Sequence, residues 1–381
     1  MRKKIMILGA SILQLPAIKK AKEMNLQVVA VDMDVNAAGF REDGVIKEVI
    51  STIDIPTVVK CAKRHNIDGI ITLASDMPIR TVAAVSKELN LVGISDETAI
   101  KATNKAEMRK CLFENRIPIP RFYKVSNEDE YLSAVKLFNG AFIVKPADNS
   151  GSRGVYLVEN IANEKEILMA YKHSVSFSRN GDVLVEEYMR GPEVSVETLT
   201  IDGKCHIIQI TDKITTGAPH FVEMGHSQPT RLPYETTRMI CQVAESANKA
   251  LGIINGPSHT EIIVTDEGPK IVEIGARLGG DCITTHLVPL STGVDMVECC
   301  IKIALGETPC VNRTRKMGSA IRYFEQTPGV IKSIAGVDAA RSIEGVEEVT
   351  IVHNVGDMVT NIDSSTARMG FVIAQGENAE K

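Results

Sequence analysis

Short apolar runs alternate with helix-like stretches along the first 95 residues of the chain. Each run has the length of a buried strand, while 54–65 and 78–89 carry apolar residues at helical spacing. Strands that alternate with helices are typical of a parallel sheet with helices on both faces. We therefore expect a Rossmann-like domain over 1–95, with strands in KIMILGA, LQVVAVD, GIITLA and NLVGIS.

The pattern changes after residue 95. In the mostly helical stretch that follows, Asn104 is placed to cap a helix, with Glu107 at the third helical position as in a capping box. From 120 to 310 strand patterns dominate, with helices near 163–174 and 235–251. This mixture predicts an α+β domain over 96–310, with a lid subdomain near 120–188.

The last segment, 311–381, predicts a small C-terminal α/β cap. Within it, Gly376 has the position of the entry to a helix that stops after one turn. The predicted fold class is thus α/β followed by α+β, in three parts.

Charge and cysteine content narrow the possible functions. The formal net charge of −5 gives no basic surface for nucleic acid or an anionic membrane. No apolar run approaches the roughly 18 residues of a membrane span. The eight cysteines show neither CxxC nor zinc spacing, so we expect a reducing, cytoplasmic setting.

The loop after the first predicted strand, Gly9–Gln14, resembles a dinucleotide-binding turn only superficially. The fingerprint G-x-G-x-x-G would need glycine where the chain has Ser11 and Gln14. Ser11 would crowd a pyrophosphate, and Gln14 would prevent close helix–strand packing. A nicotinamide-dependent oxidoreductase is therefore the weaker hypothesis, and this domain is expected to bind part of a substrate or nothing.

Two acids in the stretch HTEIIVTDEGPKIVEIGARLGGD form the strongest pattern. In a hairpin centred on Glu267, Glu261 lies opposite Glu273 on one side of the sheet, with Cβ atoms about 5 Å apart. Their apolar neighbours predict burial, and a buried pair of carboxylates needs a proton or a cation between its members. With no His or Cys nearby, oxygen donors favour Mg²⁺ shared with substrate phosphates. A slipped register that exposes both acids and a protonated acid–base dyad are the alternatives.

Three further residues follow the second acid directly. Arg277 suits negative charge that develops on a phosphoryl or acyl-phosphate group. Gly279 and Gly280 allow backbone N–H groups to approach an oxyanion closely.

The stretch KPADNSGSRGV places a lysine before a glycine loop, the reverse of a Walker A motif. Lys145 ends a predicted strand and so holds its amine in a fixed place. The loop 149–154 is then free to fold over phosphates as a lid, or is simply a surface turn. About forty residues later, the backbone of Glu186–Met189 is placed to contact an adenine edge, and Glu193 to accept from ribose hydroxyls.

These motifs together resemble the ATP-grasp superfamily of carboxylate–amine ligases. The resemblance covers the N-terminal α/β domain, the lysines at 105 and 145, the glycine loop, EEYMRGPE and the E…E-x-x-x-R end. It implies two subdomains that grasp ATP, with Lys105 and Lys145 on the α- and β-phosphates. It implies further nucleotide contacts from Ser150, Gly151, Ser152, Gly154, Glu186, Glu187, Tyr188, Met189 and Glu193.

The resemblance also implies Mg²⁺, or Mn²⁺, on Glu261 and Glu273, and Arg277 on the acyl phosphate. One position departs from the pattern. Many members read E-x-N-x-R, whereas this chain has Gly275 at the third position, which removes one amide oxygen ligand.

Within the superfamily, HFVEMGHSQP is similar to the substrate loop of the L-amino-acid ligases. His226 is the expected substrate contact, with Glu223 and His220 behind it, or else it satisfies loop carbonyls. The last segment is also similar to these ligases, and Arg322 would face the acyl substrate.

The resemblance thus implies an ADP-forming ligase that joins an amino acid or another small carboxylate to an amine through an acyl phosphate, which forms an amide bond. It also implies a homodimer. Alternatives are a phosphoribosylamine–glycine-type ligase, a biotin-carboxylase-like subunit, and a nucleotide-binding module without ligase activity.

Overall fold

The computed structural model describes residues 2–149 and 151–380. Its N-terminal part contains a four-stranded parallel sheet, as predicted. The strands are β1 (Lys4–Leu8), β2 (Gln27–Asp32), β3 (Ile46–Val49) and β4 (Gly69–Ile71), in the order β3-β2-β1-β4. Helices α1 (Leu15–Glu23), α2 (Ile55–His65) and α3 (Ile79–Leu89) and a 3₁₀ turn (Ala38–Arg41) connect them.

The fourth strand of this sheet differs from the prediction. Residues 90–95 form an irregular connection, because Asn90 adopts a left-handed conformation (φ 54°) that ends α3, and Leu91 and Val92 then pack against the cores without pairing. The edge strand β3 takes the remaining place in the sheet. Its alternation of half-buried and exposed residues is too short to stand out in the sequence.

Two helices, α4 (Asp96–Thr103) and α5 (Lys105–Glu114), lead into the second part of the chain. The predicted cap is confirmed, because the Asn104 side chain accepts from the backbone N–H groups of Ala106 and Glu107. The Asn104 N–H donates to Ile100 O. This cap fixes Lys105 in the first turn of α5.

An antiparallel four-stranded sheet forms the lid. Its strands are β5 (Phe122–Val125), β6 (Phe142–Pro146), β7 (Tyr156–Val158) and β8 (Val183–Glu187), in the order β5-β8-β6-β7. Helices α6 (Glu128–Val135) and α7 (Glu164–Phe177) cover one face, over a core that includes Tyr131 and Phe142. Lys145 therefore lies near the end of a buried central strand.

The largest sheet has eight antiparallel strands. In chain order they are β9 (Glu193–Ile201), β10 (Lys204–Thr215), β11 (Glu223–Gln228), β12 (Gly256–Thr265), β13 (Gly268–Gly275), β14 (Gly318–Tyr323), β16 (Val346–Ile351) and β18 (Gly370–Gly376), and β15 (Gly329–Val330) and β17 (Met358–Val359) form a separate pair. The sheet order is β13-β12-β9-β10-β11-β14-β18-β16.

Helices and turns pack around this sheet. They are α8 (Tyr234–Leu251), a π-helical turn (Ile283–Leu287), α9 (Val288–Thr292), α10 (Met296–Ala304), α11 (Val337–Arg341) and a 3₁₀ turn (Ser365–Ala367). Among the helices in the described ranges, none has both the length and the apolarity that a bilayer crossing requires.

The C-terminal segment is continuous with this sheet, since β14, β18 and β16 extend it beyond β11. The short helix expected from Gly376 is wrong, because this glycine ends β18 opposite Gly318. A Cβ at Gly318 would lie 2.0 Å from Asn378 O, so the chain turns back closely over that glycine.

The predicted pairing of Glu261 with Glu273 is confirmed, although the turn differs from the prediction. Thr265 pairs with Gly268, so the hairpin has a two-residue turn and a register one residue away from the predicted one. The register shifts by one residue between Glu261 and Ile262, where Val272 on β13 is the extra residue of a bulge, and the predicted register is restored beyond it. Both acids consequently lie on the same side of the sheet.

Candidate active site

A cavity of about 310 Å³ lies between the lid, the large sheet and the N-terminal part. It brings together many of the residues singled out in the sequence. Those that line it are Lys105, Lys145, Gly151, Ser152, Glu186, Glu187, Tyr188, Met189, Glu193, Glu223, His226, Glu261, Glu273, Arg277 and Gly280. Ser150 lies outside the described residues.

Lys145 is held inside the lid by a buried ionic network. Its Nζ lies 2.6 Å from Glu186 Oε2, and Arg109 donates to the same carboxylate through Nε (2.6 Å) and Nη2 (3.1 Å). Burial lowers the pKa of the Lys145 ammonium, with Arg109 adding to the effect and Glu186 opposing it. The two cations hold the pKa of Glu186 at about 2, although burial opposes this.

The same network accounts for the setting of Glu186. Its side chain is buried (3% exposed) and its carboxylate binds the two cations Arg109 and Lys145, so the Lys145 ammonium is held in place. The Tyr188 N–H donates to Ala141 O at 3.2 Å, and Glu187 Oε2 accepts from the Arg121 N–H at 3.1 Å.

The two paired acids of the hairpin each contact a lysine. Lys105 Nζ lies 2.8 Å from Glu273 Oε1, and Lys213 Nζ lies 3.1 Å from Glu261 Oε1. Lys213 also contacts Glu193 at 2.6 Å, so one buried ammonium connects the acid expected on ribose with an acid expected on metal. The ammonium groups of Lys105 and Lys213 thus supply the positive charge that the two acids need.

His259 corrects the expectation that no histidine lies near the acids. It stands two residues before Glu261 on the same face of β12, with Nε2 3.4 Å from Glu261 Oε1 and Nδ1 2.6 Å from Glu197 Oε1. Although burial opposes it, Glu197 raises the pKa of His259 to about 9. An imidazolium donates hydrogen bonds and does not ligate metal, so His259 orients Glu261.

The paired acids suit a magnesium ion. Glu261 and Glu273 side chains are 24% and 23% exposed, and both face the cavity. They offer hard carboxylate oxygens, and the two lysines already show that the position attracts cations. The donors present therefore fit Mg²⁺ or Mn²⁺ shared with phosphates, with Gly275 contributing no side-chain ligand.

Arg277 reaches the cavity from the end of β13 and is held by the N-terminal part of the chain. Its Nε lies 2.7 Å from Asp76 Oδ1 and its Nη2 3.5 Å from Asp76 Oδ2. Gly279 is a position of close packing, because a Cβ there would lie 2.7 Å from His259 Nδ1 and 2.9 Å from Glu197 Oε2. Gly280 lines the cavity.

His226 and two acids, Glu223 and Asp281, also line the cavity, and Glu223 Oε1 lies 3.8 Å from Lys213 Nζ. His226 is 1% exposed, and its Nε2 lies 3.3 Å from Asp281 Oδ2. Arg368 donates to the Asp281 carboxylate through Nη2 (2.8 Å) and Nη1 (2.9 Å), and its guanidinium stacks over the Tyr323 ring. Burial raises the pKa of Glu223 in the same region, while the Lys213 ammonium opposes the rise and the nearby acids Glu261 and Asp281 add to it.

Four singled-out residues lie outside the described lining of the cavity. Arg322 donates to His226 O (2.8 Å) and Ser227 Oγ (2.7 Å), so it supports β11 and does not face the cavity. Gly154 packs against Phe177, His220 lies exposed in the loop before β11, and Gly279 packs as described above.

Sequence reasoning missed the partners that hold these groups. They are Asp76, Arg109, Glu197, Lys213, His259, Asp281 and Arg368. One usable signal existed for Asp76, which follows the end of β4, because ligands gather at the carboxyl ends of parallel strands.

The fold is that of the ATP-grasp class. Residues 138–285 match the family described as ATP-grasp domain, and residues 322–381 match L-amino acid ligase C-terminal domain 2. The first match shows that residues 138–285 contain an ATP-grasp domain, and the second shows that residues 322–381 are similar to the C-terminal domain of L-amino acid ligases.

Three relatives are similar over most of the chain. An uncharacterized Sinorhizobium fredii protein, y4rH, is 28% identical over 319 residues, which are 83% of this chain and 65% of that protein. The L-arginine-specific L-amino acid ligase of Bacillus subtilis is 24% identical over 81% of this chain and 76% of its own length. The formate-dependent phosphoribosylglycinamide formyltransferase of Saccharolobus solfataricus is 28% identical over 100% of this chain and 94% of its own.

Among solved structures, L-amino acid ligase from Bacillus licheniformis has the same fold. Its TM-score is 0.86 at 23% identity, covering 100% of this chain and 94% of that one.

Proposed function

We propose that this chain is an ATP- and Mg²⁺-dependent ligase that joins a carboxylate to an amine, with an L-amino acid as one substrate. The observation that carries the proposal is the pair Glu261 and Glu273, which face one cavity together with Lys105, Lys145 and Arg277. Cations that can bind phosphate oxygens and acids that can hold a divalent metal lie together there, as phosphoryl transfer from a metal-bound nucleotide requires.

ATP would lie between the lid and the large sheet. Lys105 and Lys145 would bind its α- and β-phosphates, and the loop 149–154 would cover the β- and γ-phosphates. We assign the adenine edge to the backbone around Met189. Glu193, whose carboxylate Lys213 holds at 2.6 Å, would accept from the ribose hydroxyls.

Glu261 and Glu273 would hold Mg²⁺, which when bound neutralises phosphate charge. Lys105 contacts Glu273 and would turn towards the phosphates when the nucleotide enters, while Lys213 would stay on Glu193. His259 keeps Glu261 in place through the buried Glu197.

The chemistry proposed is two successive transfers. A substrate carboxylate oxygen attacks the γ-phosphorus of ATP, so that ADP leaves and an acyl phosphate forms. An amine then attacks the acyl carbon, loses a proton, and expels inorganic phosphate. Arg277, fixed by Asp76, is placed to stabilise the charge on the acyl phosphate and the oxyanion.

The amino acid would bind at the end of the cavity formed by Glu223 and His226. A carboxylate with a raised pKa suits contact with an ammonium group or acceptance of its proton. The match of 322–381 to the L-amino acid ligase domain supports an amino acid as the substrate. The arginine-specific relative supports the same class, without fixing the side chain.

A phosphoribosylamine-type substrate is the second candidate. The full-length similarity to a phosphoribosylglycinamide formyltransferase favours it. Such a substrate would need a site for its own phosphate, in addition to the residues proposed to bind ATP.

The test is phosphate release from ATP and Mg²⁺ across all pairs of the common amino acids, with mass spectrometry of the product. We expect one pair, or a small set, to stimulate release and to yield a dipeptide with ADP. Release only with phosphoribosylamine and glycine, or with formate and phosphoribosylglycinamide, would select the second candidate. ATP binding without any stimulated turnover would refute ligase activity.

A variant pair tests the proposed metal site in the same assay. Glu273→Ala should abolish turnover with the fold intact, whereas Glu267→Gln should leave turnover unchanged. Glu267 is a matched control, because it lies in the same hairpin with its side chain 77% exposed. Full activity of the Glu273 variant would contradict the metal assignment.

A further inference from the structure

A second group of metal-ligating side chains lies in the N-terminal part of the chain. Glu48 on β3 and Cys61 and His65 on α2 each present one ligand atom, and these atoms all lie within 4.8 Å of one another. Glu48 Oε1 and His65 Nε2 are 2.6 Å apart. None of the three is among the described residues that line the nucleotide cavity, so the proposed ligase chemistry does not use them.

The local structure explains why these side chains converge. Cys61 and His65 are four residues apart on α2 and therefore share one face of the helix. The edge strand β3 runs beside that helix with Glu48 half-buried on the facing side. A ligand set of one thiolate, one imidazole and one carboxylate is typical of zinc. It does not suit Mg²⁺, which prefers oxygen ligands alone.

The site is deep at one end and open at the other. Cys61 is 2% exposed, whereas the side chains of Glu48 and His65 are 18% and 17% exposed. An ion can thus reach the thiol past two ligands that lie at the surface. The fourth coordination position would be left to water.

A cation already occupies the mouth of this group. Arg64 Nη2 lies 2.6 Å from Glu48 Oε1 and 3.7 Å from Cys61 Sγ. The Arg64 side chain is 62% exposed, so it can turn into solvent at little cost. Its guanidinium stands in for the positive charge that the three ligands attract.

We propose that Glu48, Cys61 and His65 form a binding site for a zinc-type divalent cation, which links α2 to the edge strand β3. Burial, with Glu48 adding to it, raises the pKa of the Cys61 thiol to about 11, so the thiol carries its proton in the metal-free chain. Binding forms metal bonds to the Cys61 sulfur, the His65 Nε2 lone pair and the Glu48 carboxylate. It breaks the S–H bond and the hydrogen bond between His65 and Glu48, the thiol proton passes to the buffer, and neutral His65 carries its proton on Nδ1. Arg64 releases Glu48 in the same step.

The experiment uses Co²⁺ as a spectroscopic probe on the full chain without nucleotide. Thiolate bound to Co²⁺ gives a charge-transfer band in the near ultraviolet, whereas a carboxylate pair such as Glu261 and Glu273 gives none. We expect one Co²⁺ per chain with this band, and its loss on addition of Zn²⁺, which binds such ligands more tightly. Absence of the band at saturating Co²⁺ would overturn the proposal.

Variants separate this site from other thiols. Cys61→Ser, which is nearly isosteric, should abolish the band, and Cys310→Ser, at an exposed cysteine, should leave it unchanged. Arg64→Met should tighten Co²⁺ binding about two- to fivefold, because the competing ion pair is lost. A band that survives in the Cys61 variant, or an affinity unaffected in the Arg64 variant, would refute the assignment. These readouts do not depend on ligase activity, so the two proposals fail separately.

Discussion

Arg109→Met should weaken both the fold and nucleotide binding, although Arg109 is not expected to touch the nucleotide. The residue is 1% exposed, and its guanidinium connects three elements. It extends from α5, binds Glu186 on β8 through two hydrogen bonds, and donates to Val272 O on β13 at 2.7 Å. Methionine keeps most of the side-chain volume and removes the charge.

The size of the effect follows from what remains. Removal of one partner from a buried ion pair costs about 3–5 kcal/mol. Glu186 keeps Lys145 at 2.6 Å, so we expect the lower end, about 3 kcal/mol. For a cooperative unit of about 200 residues this lowers Tm by about 6–12 °C. Lys145 becomes the only cation on Glu186, so its ammonium is held away from phosphate, and we expect about tenfold weaker ATP binding.

Differential scanning fluorimetry and calorimetric titration with ADP and ATP would measure both effects. Lys110→Met is the matched control, because it removes a positive charge from an exposed position on the same helix. Arg109→Lys should give an intermediate result, since it restores charge without the planar fork. An Arg109→Met protein with wild-type Tm and wild-type nucleotide affinity would refute the positioning role.

Three further predictions concern other parts of the site. Gly279→Ala should destabilise the chain by about 1–3 kcal/mol in urea unfolding, because its Cβ would lie 2.7 Å from His259 Nδ1. Gly280→Ala should be nearly neutral, because the nearest atom to its Cβ would be 3.7 Å away, and equal effects of the two substitutions would contradict the packing. Arg368→Gln should raise KM for the amino acid about tenfold and leave KM for ATP unchanged, because it frees Asp281; a parallel change in both constants would count against this. The pKa of His259 is raised from 6.5 to about 9 on folding, so its contribution is complete below pH 6.5 and is lost as the pH rises to 9. The free energy of unfolding, measured at pH 6 and at pH 9, should therefore fall by on the order of 3 kcal/mol more in the wild type than in His259→Gln. An equal fall in both proteins would contradict the assigned ion pair.

Sequence patterns were sufficient where partners are close along the chain. The alternation in 256–275 was enough to pair Glu261 with Glu273, even though the turn was placed one residue away and a bulge compensated for it. The Asn104 cap was also predictable, because the N–H groups that donate to its side chain lie two and three residues further on. Short-range geometry fixes both features.

Long-range ion pairs could not be predicted in this way. Asp76 and Arg277 are 201 positions apart, and Arg109 and Glu186 are 77 apart. A single charged residue in a helix or after a strand looks the same whether it faces solvent or a distant partner. The buried ionic setting of Glu186 could not be predicted for this reason, since only the folded chain shows Arg109 beside it.

The shared sheet has a consequence for how such proteins diversify. Four residue pairs join β11 to β14. Arg368, further along the C-terminal segment, donates two hydrogen bonds to Asp281 beside His226. A segment exchanged between relatives would have to preserve these main-chain pairs and this arginine, while the remaining side chains around the substrate end are free to differ. Under the proposed function, substrate preference can then be transferred between relatives by exchange of this one segment, without a change in the residues that bind ATP.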